Sequence, residues 1–559
     1  MNKQLNIEWN LIVSNSCENK REMEDLLRNN EKSIVLKTLT DNEEGENELN
    51  LLFGYNVMTI IFHDLKFEKV YLQDLEIILE KLVNILKFMH FTTILWILDV
   101  ETEQVKYVQK ISELCWHQGF VRVVFICKQN MYTYTPLPIV KVLKLTSLKQ
   151  FYKLKDIVNY HQVALRFPIT SSPPRCYRYT DPKGNFVYAG YFYEILMIFI
   201  KQYNFKFIEY PSDYNSNNKE VLLQDLVSNK IDALPFMAYH NRNYAASDVL
   251  WNVNVVIMVP NAKPISKYLY FVKPFKHQIW LLYLLLVIIY SLLLGLVIYV
   301  KNKKMDFSKS LIYVLSLSIY QHHLNIFKNF GLISNLVYIL LFLFGFIMVQ
   351  MYLCKLSSML VLTIYEPQIE TVQDISATDL KVFMYKPDLK HFVSKSALTS
   401  IILERIILTD GIDLDNKRRS LNASYFHMGF EDKINFFLLQ QKFLKVPLVQ
   451  LIHPVILTEP IFFTMRHNLP YIQLFNRYLK YLADSGLLQK ILQNIEKDGI
   501  QSGEIYYFKD KEELNDNLLS LEYFYAPLVL YICGIALSFI AFLMEICFNK
   551  FYVKLSRIK

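Results

Sequence analysis

Three long uncharged stretches interrupt an otherwise polar chain, at residues 278–300, 329–354 and 523–544. Each exceeds the ~20 apolar residues that a helix needs to cross a bilayer. A fourth apolar stretch, 311–320, has ten residues and is too short to span. Backbone at membrane depth that does not span persists only where protein buries it or water lines it. The pattern therefore predicts three transmembrane helices, with a re-entrant pore loop between the first two.

The first 160 residues alternate between strand-like and helix-like patterns. Short apolar runs at 58–62, 92–98 and 121–127 are typical of buried strands, and 74–88 and 103–116 have helical periodicity. This alternation predicts an α/β region with a parallel sheet. No glycine-rich loop follows these strands in the sequence, which argues against nucleotide binding.

Polar sequence lies on both sides of the first two apolar stretches. Before them, we expect strands at 163–169, 205–209 and 253–259, with a turn at Ser171-Ser172-Pro173-Pro174. After them, about 170 residues separate the second stretch from the third, and a long helix that ends at Gly486 is expected over 469–488. The arrangement predicts one domain outside the membrane, cut in two by the membrane-embedded part.

The composition of the chain narrows the range of functions to be expected. The 559 residues are 53% hydrophobic, and the net charge of +8 forms no long basic stripe, so nucleic acid is not an expected partner. The seven cysteines are scattered and predict neither a disulfide framework nor a metal site. No catalytic-triad order, zinc spacing or nucleophile elbow stands out. We expect no enzymatic activity and no cofactor.

Basic residues at the ends of the apolar stretches predict the orientation. By the positive-inside rule these ends are cytoplasmic, which places both flanking polar segments outside the cell. Asn422-Ala423-Ser424 is then a glycosylation acceptor on the outer side. The first 20 residues contain no apolar signal-peptide core, so either a signal is missing from this start or the first span directs insertion; the first is favoured. The basic residues are Lys301, Lys303, Lys304, Lys328, Lys550, Lys554, Arg557 and Lys559.

Four blocks of the sequence carry a family resemblance. They are 268–300, which contains Pro274-Phe275 and Trp280, then 352–374, 457–491 and 521–547. In order and spacing they resemble the ionotropic glutamate receptor superfamily, and specifically its divergent arthropod chemosensory branch, the ionotropic receptors. With the segments between them, the resemblance covers about residues 160–550.

The resemblance implies a multi-domain membrane protein. It has an α/β N-terminal region, and a two-lobed, periplasmic-binding-protein-like α/β ligand domain that the channel splits. Three transmembrane helices and a re-entrant pore loop form the channel. The expected parts are the N-terminal region 1–160, the first lobe 161–265, the first helix 278–300, the pore loop 307–327, the second helix 329–354, the second lobe 366–515, the third helix 523–547 and a cytoplasmic tail 548–559.

The implied function is that of a ligand-gated cation channel subunit in the plasma membrane. It would act as a taste or odour receptor in a tetramer with co-receptor subunits of the same family. Its partners would be those subunits, a small-molecule ligand and membrane lipid. Two alternatives stay open: an amino-acid-gated synaptic channel, and a non-conducting subunit for binding or assembly.

The resemblance also implies ligand-binding positions. Arg242 falls where family members hold a ligand carboxylate, and Glu431 or Asp432 falls where they hold a ligand amine. Arg242 can equally be a surface or inter-lobe ion-pair residue, and the two acids can be a solvated pair. The threonine that precedes the arginine in glutamate-binding members is absent, as is the cysteine pair of the second lobe. Glutamate is therefore disfavoured as the ligand.

The pore and gate are assigned in the same way. The tip of the pore loop is expected at Gln321, His322 and His323, with a loop exposed to the cytoplasm as the alternative. The gate is expected around Lys355, Ser357 and Ser358. Lys355 stands where the family has asparagine. It is either an anchor at the membrane interface or part of a positive ring that would oppose cation entry in a homotetramer.

Overall fold

A computed structural model of the chain forms two compact units. The first, here called the strand-rich unit, comprises Met1–Pro260 and Glu370–Lys509, and the second, the helical unit, comprises Asn261–Ile369 and Asp510–Lys559. The structure describes residues 9–14, 33–38, 57–63, 75–76, 78–80, 82–83, 92–98, 104–154, 159–211, 219–238, 243–302, 307–319, 332–362, 364–453, 455–510 and 521–556.

The N-terminal strands form one sheet in the order β2-β1-β3-β4-β5-β6-β7. Pairing is parallel from β2 to β5 and antiparallel from β5 to β7. The helices α1 (Gln104–His117) and α2 (Leu148–Leu154) accompany the sheet. Trp96 and Phe125 pair in register and are fully buried, so the expected α/β content is present here. The strands are β1 Trp9–Ser14, β2 Ser33–Thr38, β3 Val57–His63, β4 Thr93–Leu98, β5 Val123–Cys127, β6 Asn130–Thr135 and β7 Lys141–Leu145.

Residues 159–260, here called the upstream segment, supply seven further described strands and two helices. β8 and β11 pair in parallel, and β9 and β10 form a hairpin. The helix α3 (Tyr191–Tyr203) buries an apolar face, and α4 (Lys219–Val227) buries two leucines. The strands are β8 Ala164–Pro168, β9 Tyr177–Thr180, β10 Phe186–Ala189, β11 Lys206–Tyr210, β12 Ala233–Leu234, β13 Ala245–Ala246 and β14 Trp251–Pro260.

The helical unit follows, with α5 (His277–Asn302), α6 (Phe307–Ser318) and α7 (Leu332–Val361). Val314 and Leu317 of α6 are buried in a core with residues of α5 and α7. Tyr283 of α5 also hydrogen-bonds Ser318 of α6, with 2.8 Å between their hydroxyl oxygens. A short apolar helix is therefore held between two long ones. The tip expected at 321–323 lies outside the described residues.

Residues 370–509, here called the downstream segment, return to the strand-rich unit. The helix expected over 469–488, with its end at Gly486, is α12. Gly486 adopts a left-handed φ of 74°, and a further helix, α13, begins directly after it. The strands are β15 Val382–Tyr385, β16 Ile406–Thr409, β17 Phe426–Phe430, β18 Val449–Leu451, β19 Leu457–Ile461 and β20 Thr464–Met465. The helices are α8 Asp388–Ser394, α9 Ser400–Leu403, α10 Gly411–Arg419, α11 Glu431–Leu438, α12 Ile472–Asp484 and α13 Leu487–Gln501.

Strands of the two segments share sheets. β14 of the upstream segment pairs with β17, β18 and β19 of the downstream segment, all antiparallel. In return, β20 of the downstream segment pairs with both β12 and β13. The two segments thus form one folded structure, although the chain passes through the helical unit between them.

The last helix, α14 (Tyr525–Ser556), belongs to the helical unit. Among the described residues, three helices are long and apolar enough to cross a membrane, over His277–Val300, Tyr338–Val361 and Glu522–Cys547. The first and third agree closely with the hydrophobic stretches of the sequence, whereas the second overlaps the stretch 329–354 but runs further towards the C-terminus. Together they support a membrane protein. The helices extend beyond the apolar stretches because charged residues continue a helix as well as apolar ones do.

Candidate functional site

A partly open cavity lies between the upstream and downstream segments, within the strand-rich unit. Its volume is about 50 Å³, enough for a few water molecules or a very small ligand. Aromatic side chains from both segments line it, with Phe236 on one side and Tyr385 and Phe430 on the other. Its charged lining residues are Arg175 and Lys219 from the upstream segment, and Asp388, Asp415, Arg418 and Lys433 from the downstream segment.

A tight loop after β8 presents Arg175 to the cavity. The Arg175 amide donates to the Ser172 carbonyl at 2.8 Å, and the Arg175 carbonyl accepts from the Phe192 amide at 2.9 Å. The second bond docks the loop on the first turn of α3. Gly190 permits this approach, because a Cβ there would lie 2.5 Å from the Arg175 carbonyl oxygen and its φ is 105°. The turn predicted at Ser171–Pro174 therefore serves to fix the arginine that follows it.

Arg175 forms a two-pronged ion pair with Asp432 at the start of α11. Its Nε and Nη2 donate to the two carboxylate oxygens at 2.8 and 2.9 Å, and the Tyr191 hydroxyl donates to Oδ2 at 2.8 Å. Burial alone would raise the pKa of Asp432, but the charge and hydrogen bonds of Arg175 lower it below its ordinary value. The guanidinium also stacks over Phe430, 4.7 Å from the ring centroid. This pair ties the two segments together beside the cavity.

Lys219, the first residue of α4, is less firmly paired. Its Nζ lies 3.8 Å from Asp388 Oδ1 and 4.4 Å from the centroid of the Tyr385 ring. The side chain keeps 28% of its surface accessible, where it lines the cavity. Burial lowers the pKa of Lys219 to about 8, and the negative charge of Asp388 opposes this shift only in part. A ligand anion at this ammonium would therefore gain more than one held at a fully neutralised cation.

A third set of charged side chains around the cavity comes from α10 and α11. Arg418 donates from Nη1 to Asp415 at 3.1 Å and from Nη2 to the Met428 carbonyl at 2.6 Å, and Lys433 lies 3.5 Å from Asp415. The Arg418 Nε is buried and has no hydrogen-bond partner among the described residues. Gly429 gives the guanidinium room, because a Cβ there would collide with Arg418 Nη2. Burial lowers the pKa of both Arg418 and Lys433.

The charges around the cavity do not balance. Among the described residues, four cationic side chains face it, and three carboxylates pair with them: Asp388, Asp415 and Asp432. Among the lining residues and their direct partners, positive charges thus exceed negative ones by one, and electrostatic interactions at such a largely buried site are stronger than in water. The arrangement favours a small ligand with one negative charge, next to an aromatic wall.

The structure places the predicted ligand residues differently from one another. Asp432 lies beside the cavity and is occupied by Arg175. Glu431 instead accepts a hydrogen bond from Asn254 Nδ2 at 2.7 Å and does not line the cavity. Arg242 lies outside the described residues. The role of each in ligand binding stays a prediction.

The remaining predicted positions lie elsewhere in the chain. Gln321, His322 and His323 fall outside the described residues. Lys355 is exposed on α7, with Nζ 5.9 Å from the ring centroid of Phe275, and Ser357 and Ser358 follow it as exposed residues near the end of that helix. Asn422, the predicted glycosylation acceptor, is half-buried after α10, and its side-chain oxygen accepts from the Ser424 amide at 2.9 Å.

Comparison with known proteins gives no relative: no protein-family model and no curated protein matches this chain. Within the described parts of the chain, no three His, Cys, Asp or Glu side chains come close enough to hold a metal ion.

Sequence reasoning missed Arg175, Lys219, Arg418 and Lys433. Each stands in a polar surrounding that is ordinary for a surface residue, and the partners lie far away along the chain. Arg175 and Asp432 are 257 residues apart. One local signal existed: Arg175 directly follows a Ser-Ser-Pro-Pro turn, and binding residues lie disproportionately on loops.

Proposed function

We propose that this chain is a subunit of a ligand-gated cation channel in the plasma membrane, acting as a chemosensory receptor together with co-receptor subunits of the same family in a tetramer. Both cavity-forming segments are extracellular in this proposal and the C-terminus is cytoplasmic. The observation that carries it is the interrupted domain. The upstream and downstream segments form one cavity, and the chain between them contains two of the three candidate spans.

This connectivity supplies a route from binding to gating. β14 ends at Pro260 and α5 begins at His277, while α7 ends at Val361 and the downstream segment begins shortly after. A ligand held by both segments favours the arrangement in which it contacts both, and so shifts the population towards it. Because the backbone joins each segment to a candidate span, that shift can bias the pore.

The proposed ligand is a small organic monoanion, such as a carboxylate of two to four carbons. Its carboxylate would contact Lys219, the cation with the longest ion-pair distance around the cavity among those described. Losing this contact in Lys219→Gln should raise the half-maximal ligand concentration roughly 10- to 100-fold, because a hydrogen bond to a charged group contributes about 1.5–3 kcal/mol. Lys219→Arg keeps the charge and serves as the matched control.

The pH dependence gives a second readout with a definite sign. Only the protonated Lys219 attracts an anion, and its pKa of about 8 is lowered from the ordinary 10.5. Affinity should therefore be constant up to about pH 7 and fall as the pH rises through 8, where half of the lysine is deprotonated. Lys219→Arg should remove this fall, because arginine stays protonated throughout that range.

The experiment records currents from cells that express the chain with candidate co-receptor subunits, using a panel of small carboxylates between pH 6.5 and 9.5. Ligand-evoked cation currents with the expected Lys219 effects would support the proposal. Binding without current under every subunit combination would favour a non-conducting role. A response to amino acids alone, unchanged in Lys219→Gln, would favour an amino-acid-gated channel.

A further inference from the structure

A second cavity lies within the helical unit. It has a volume of about 1190 Å³, which exceeds the roughly 300–1,000 Å³ typical of small-molecule sites. Its wall is formed by residues just before α5, by the first turns of α5 and α14, and by Tyr352 of α7. Apolar and aromatic side chains dominate the lining, among them Phe271, Trp280 and Leu530.

The lining changes in character along the first candidate span. Lys273, Lys276 and His277 lie at or just before its start, whereas Leu281 and Leu284 lie inside it. Leu284 follows His277 by seven residues, or about 10 Å along a helix. On the opposite wall, Leu530 lies eight residues into the span that begins at Glu522. One end of the cavity is therefore cationic at the membrane boundary, and the other is apolar at the depth of the hydrocarbon.

The cations at this boundary are available. Lys273 and Lys276 are exposed, and no carboxylate lies within ion-pair distance of either among the described residues. The first amides of α5 begin at His277 and add the partial positive charge of a helix N-terminus. Trp280 stiffens the wall, because its indole nitrogen donates to the Val272 carbonyl at 3.0 Å.

We propose that this cavity binds an acidic membrane phospholipid, with the head-group phosphate at Lys273 and Lys276 and one acyl chain along Leu281, Leu284 and Leu530. Whichever leaflet the rim faces, its charge complements an acidic head group, and the apolar lining continues along the span as an acyl chain does. A free inorganic anion would leave the apolar wall in contact with water. A neutral hydrophobic ligand would leave both lysines unused.

Trp280 allows a direct test. The sequence has five tryptophans, and Trp280 is the one that lies in the helical unit. The full chain is placed in bilayers that contain either phosphatidylserine or phosphatidylcholine, brominated near the head-group end of the acyl chain, at the same mole fraction. Bromine quenches a nearby indole, so the fluorescence lost in the wild type but not in Trp280→Phe reports lipid in the cavity.

We expect stronger quenching of Trp280 by the serine lipid than by the choline lipid. Each lysine should contribute roughly five-fold to this preference, since a basic side chain near an acidic membrane surface is worth about 1 kcal/mol. The preference should therefore disappear in Lys273→Gln/Lys276→Gln. It should persist in the control Lys263→Gln/Lys381→Gln, which removes two exposed lysines that do not line the cavity.

Three results would overturn the proposal. One is equal quenching of Trp280 by both lipids. Another is a preference that survives in Lys273→Gln/Lys276→Gln, or that is lost equally in the control pair, since net charge alone would then explain it. The third is a preference that added inorganic phosphate abolishes at constant ionic strength, which would assign the lysines to a free anion.

Discussion

At the scale of single residues, Asp432 has the clearest structural role around the first cavity. Only 10% of its side chain is exposed, and it neutralises Arg175 while accepting a hydrogen bond from the Tyr191 hydroxyl. Removing one partner of a buried ion pair leaves the other charge uncompensated in a medium that solvates it poorly. Asp432 thus holds the two segments together whether or not a ligand is present.

We expect Asp432→Asn to lower the free energy of unfolding of the strand-rich unit by about 3–5 kcal/mol. The neighbouring Glu431→Gln is the control, because its side chain is half-buried and glutamine can still accept from Asn254; its effect should stay below about 1 kcal/mol. Chemical unfolding of both variants can be followed through Trp251, whose ring lies 5.0 Å from that of Tyr191. Equal stability of the two variants would show that the Arg175–Asp432 pair contributes little.

The sequence identifies some of the residues around this cavity as candidate site residues but not others, and the difference has a physical reason. Asp432 was among the predicted positions because the family resemblance places a ligand-contacting acid after Gly429-Phe430, and its contact with a ligand stays a prediction. Lys219 and Arg418 could not be predicted, because a cationic residue in a polar helix is expected to face solvent unless its tertiary neighbours are known. Their altered pKa values arise from burial by elements that are distant along the chain.

At the scale of elements, the length of an apolar stretch identifies a candidate span well, because the thickness of the bilayer sets the same minimum length for every span. The finer packing of these helices depends on small residues. Gly345 of α7 lies against the end of α6, where a Cβ would be 2.9 Å from the Ser318 Cα and 3.1 Å from the Leu317 carbonyl oxygen. The close approach of α6 to α7 thus requires the absence of a side chain.

We expect Gly345→Ala to destabilise the helical unit by about 1–3 kcal/mol, since backbone must move to admit the methyl group. Gly534→Ala on α14 is the matched control, because no heavy atom lies within 4 Å of the Cβ position there. Replacing glycine by alanine increases helix propensity equally at both positions. The difference in stability between the two variants therefore measures the cost of packing the added methyl group. The thermal unfolding midpoint in detergent measures it. A Gly345→Ala protein as stable as Gly534→Ala would show that α6 shifts at no cost.

Periodicity does not locate the strand partners. The strand-like run before the first span is expected at 253–259, and it is β14, Trp251–Pro260. Its partners β17, β18 and β19 all follow the helical unit, so more than 160 residues separate the paired positions. Pairing over such a distance depends on the closure of the whole fold rather than on local sequence. The helix end at Gly486 was predictable in contrast, because glycine is the residue that most readily adopts the left-handed conformation at a helix end.

At the scale of the whole molecule, residues 261–369 of the helical unit are an insertion into the strand-rich unit, and the two connections of this insertion run side by side. The Ala262 amide donates to Gln368 Oε1 at 2.6 Å, and the Glu366 amide donates to the Lys263 carbonyl at 2.9 Å. Pro264 and Tyr365 form an antiparallel bridge just beyond. Because the chain leaves and returns at neighbouring positions, the strand-rich unit is complete without the residues in between.

A fusion of residues 1–263 to 366–510 through a short Gly-Ser-Gly linker should therefore fold without membrane or detergent. Neither piece should fold alone to the same extent, because β14 supplies a strand between β17 and β18 and pairs with β19 as well. Residues 366–510 alone would leave the edges of β17, β18 and β19 unpaired, and unpaired edges promote aggregation. The comparison measures soluble yield and cooperative unfolding by circular dichroism for the fusion and for each piece, with a fusion carrying Asp432→Asn as a destabilised control. If residues 366–510 alone unfolded as cooperatively as the fusion, the downstream segment would fold independently of β14. The shared sheet could then not transmit ligand binding on the two segments to the candidate spans.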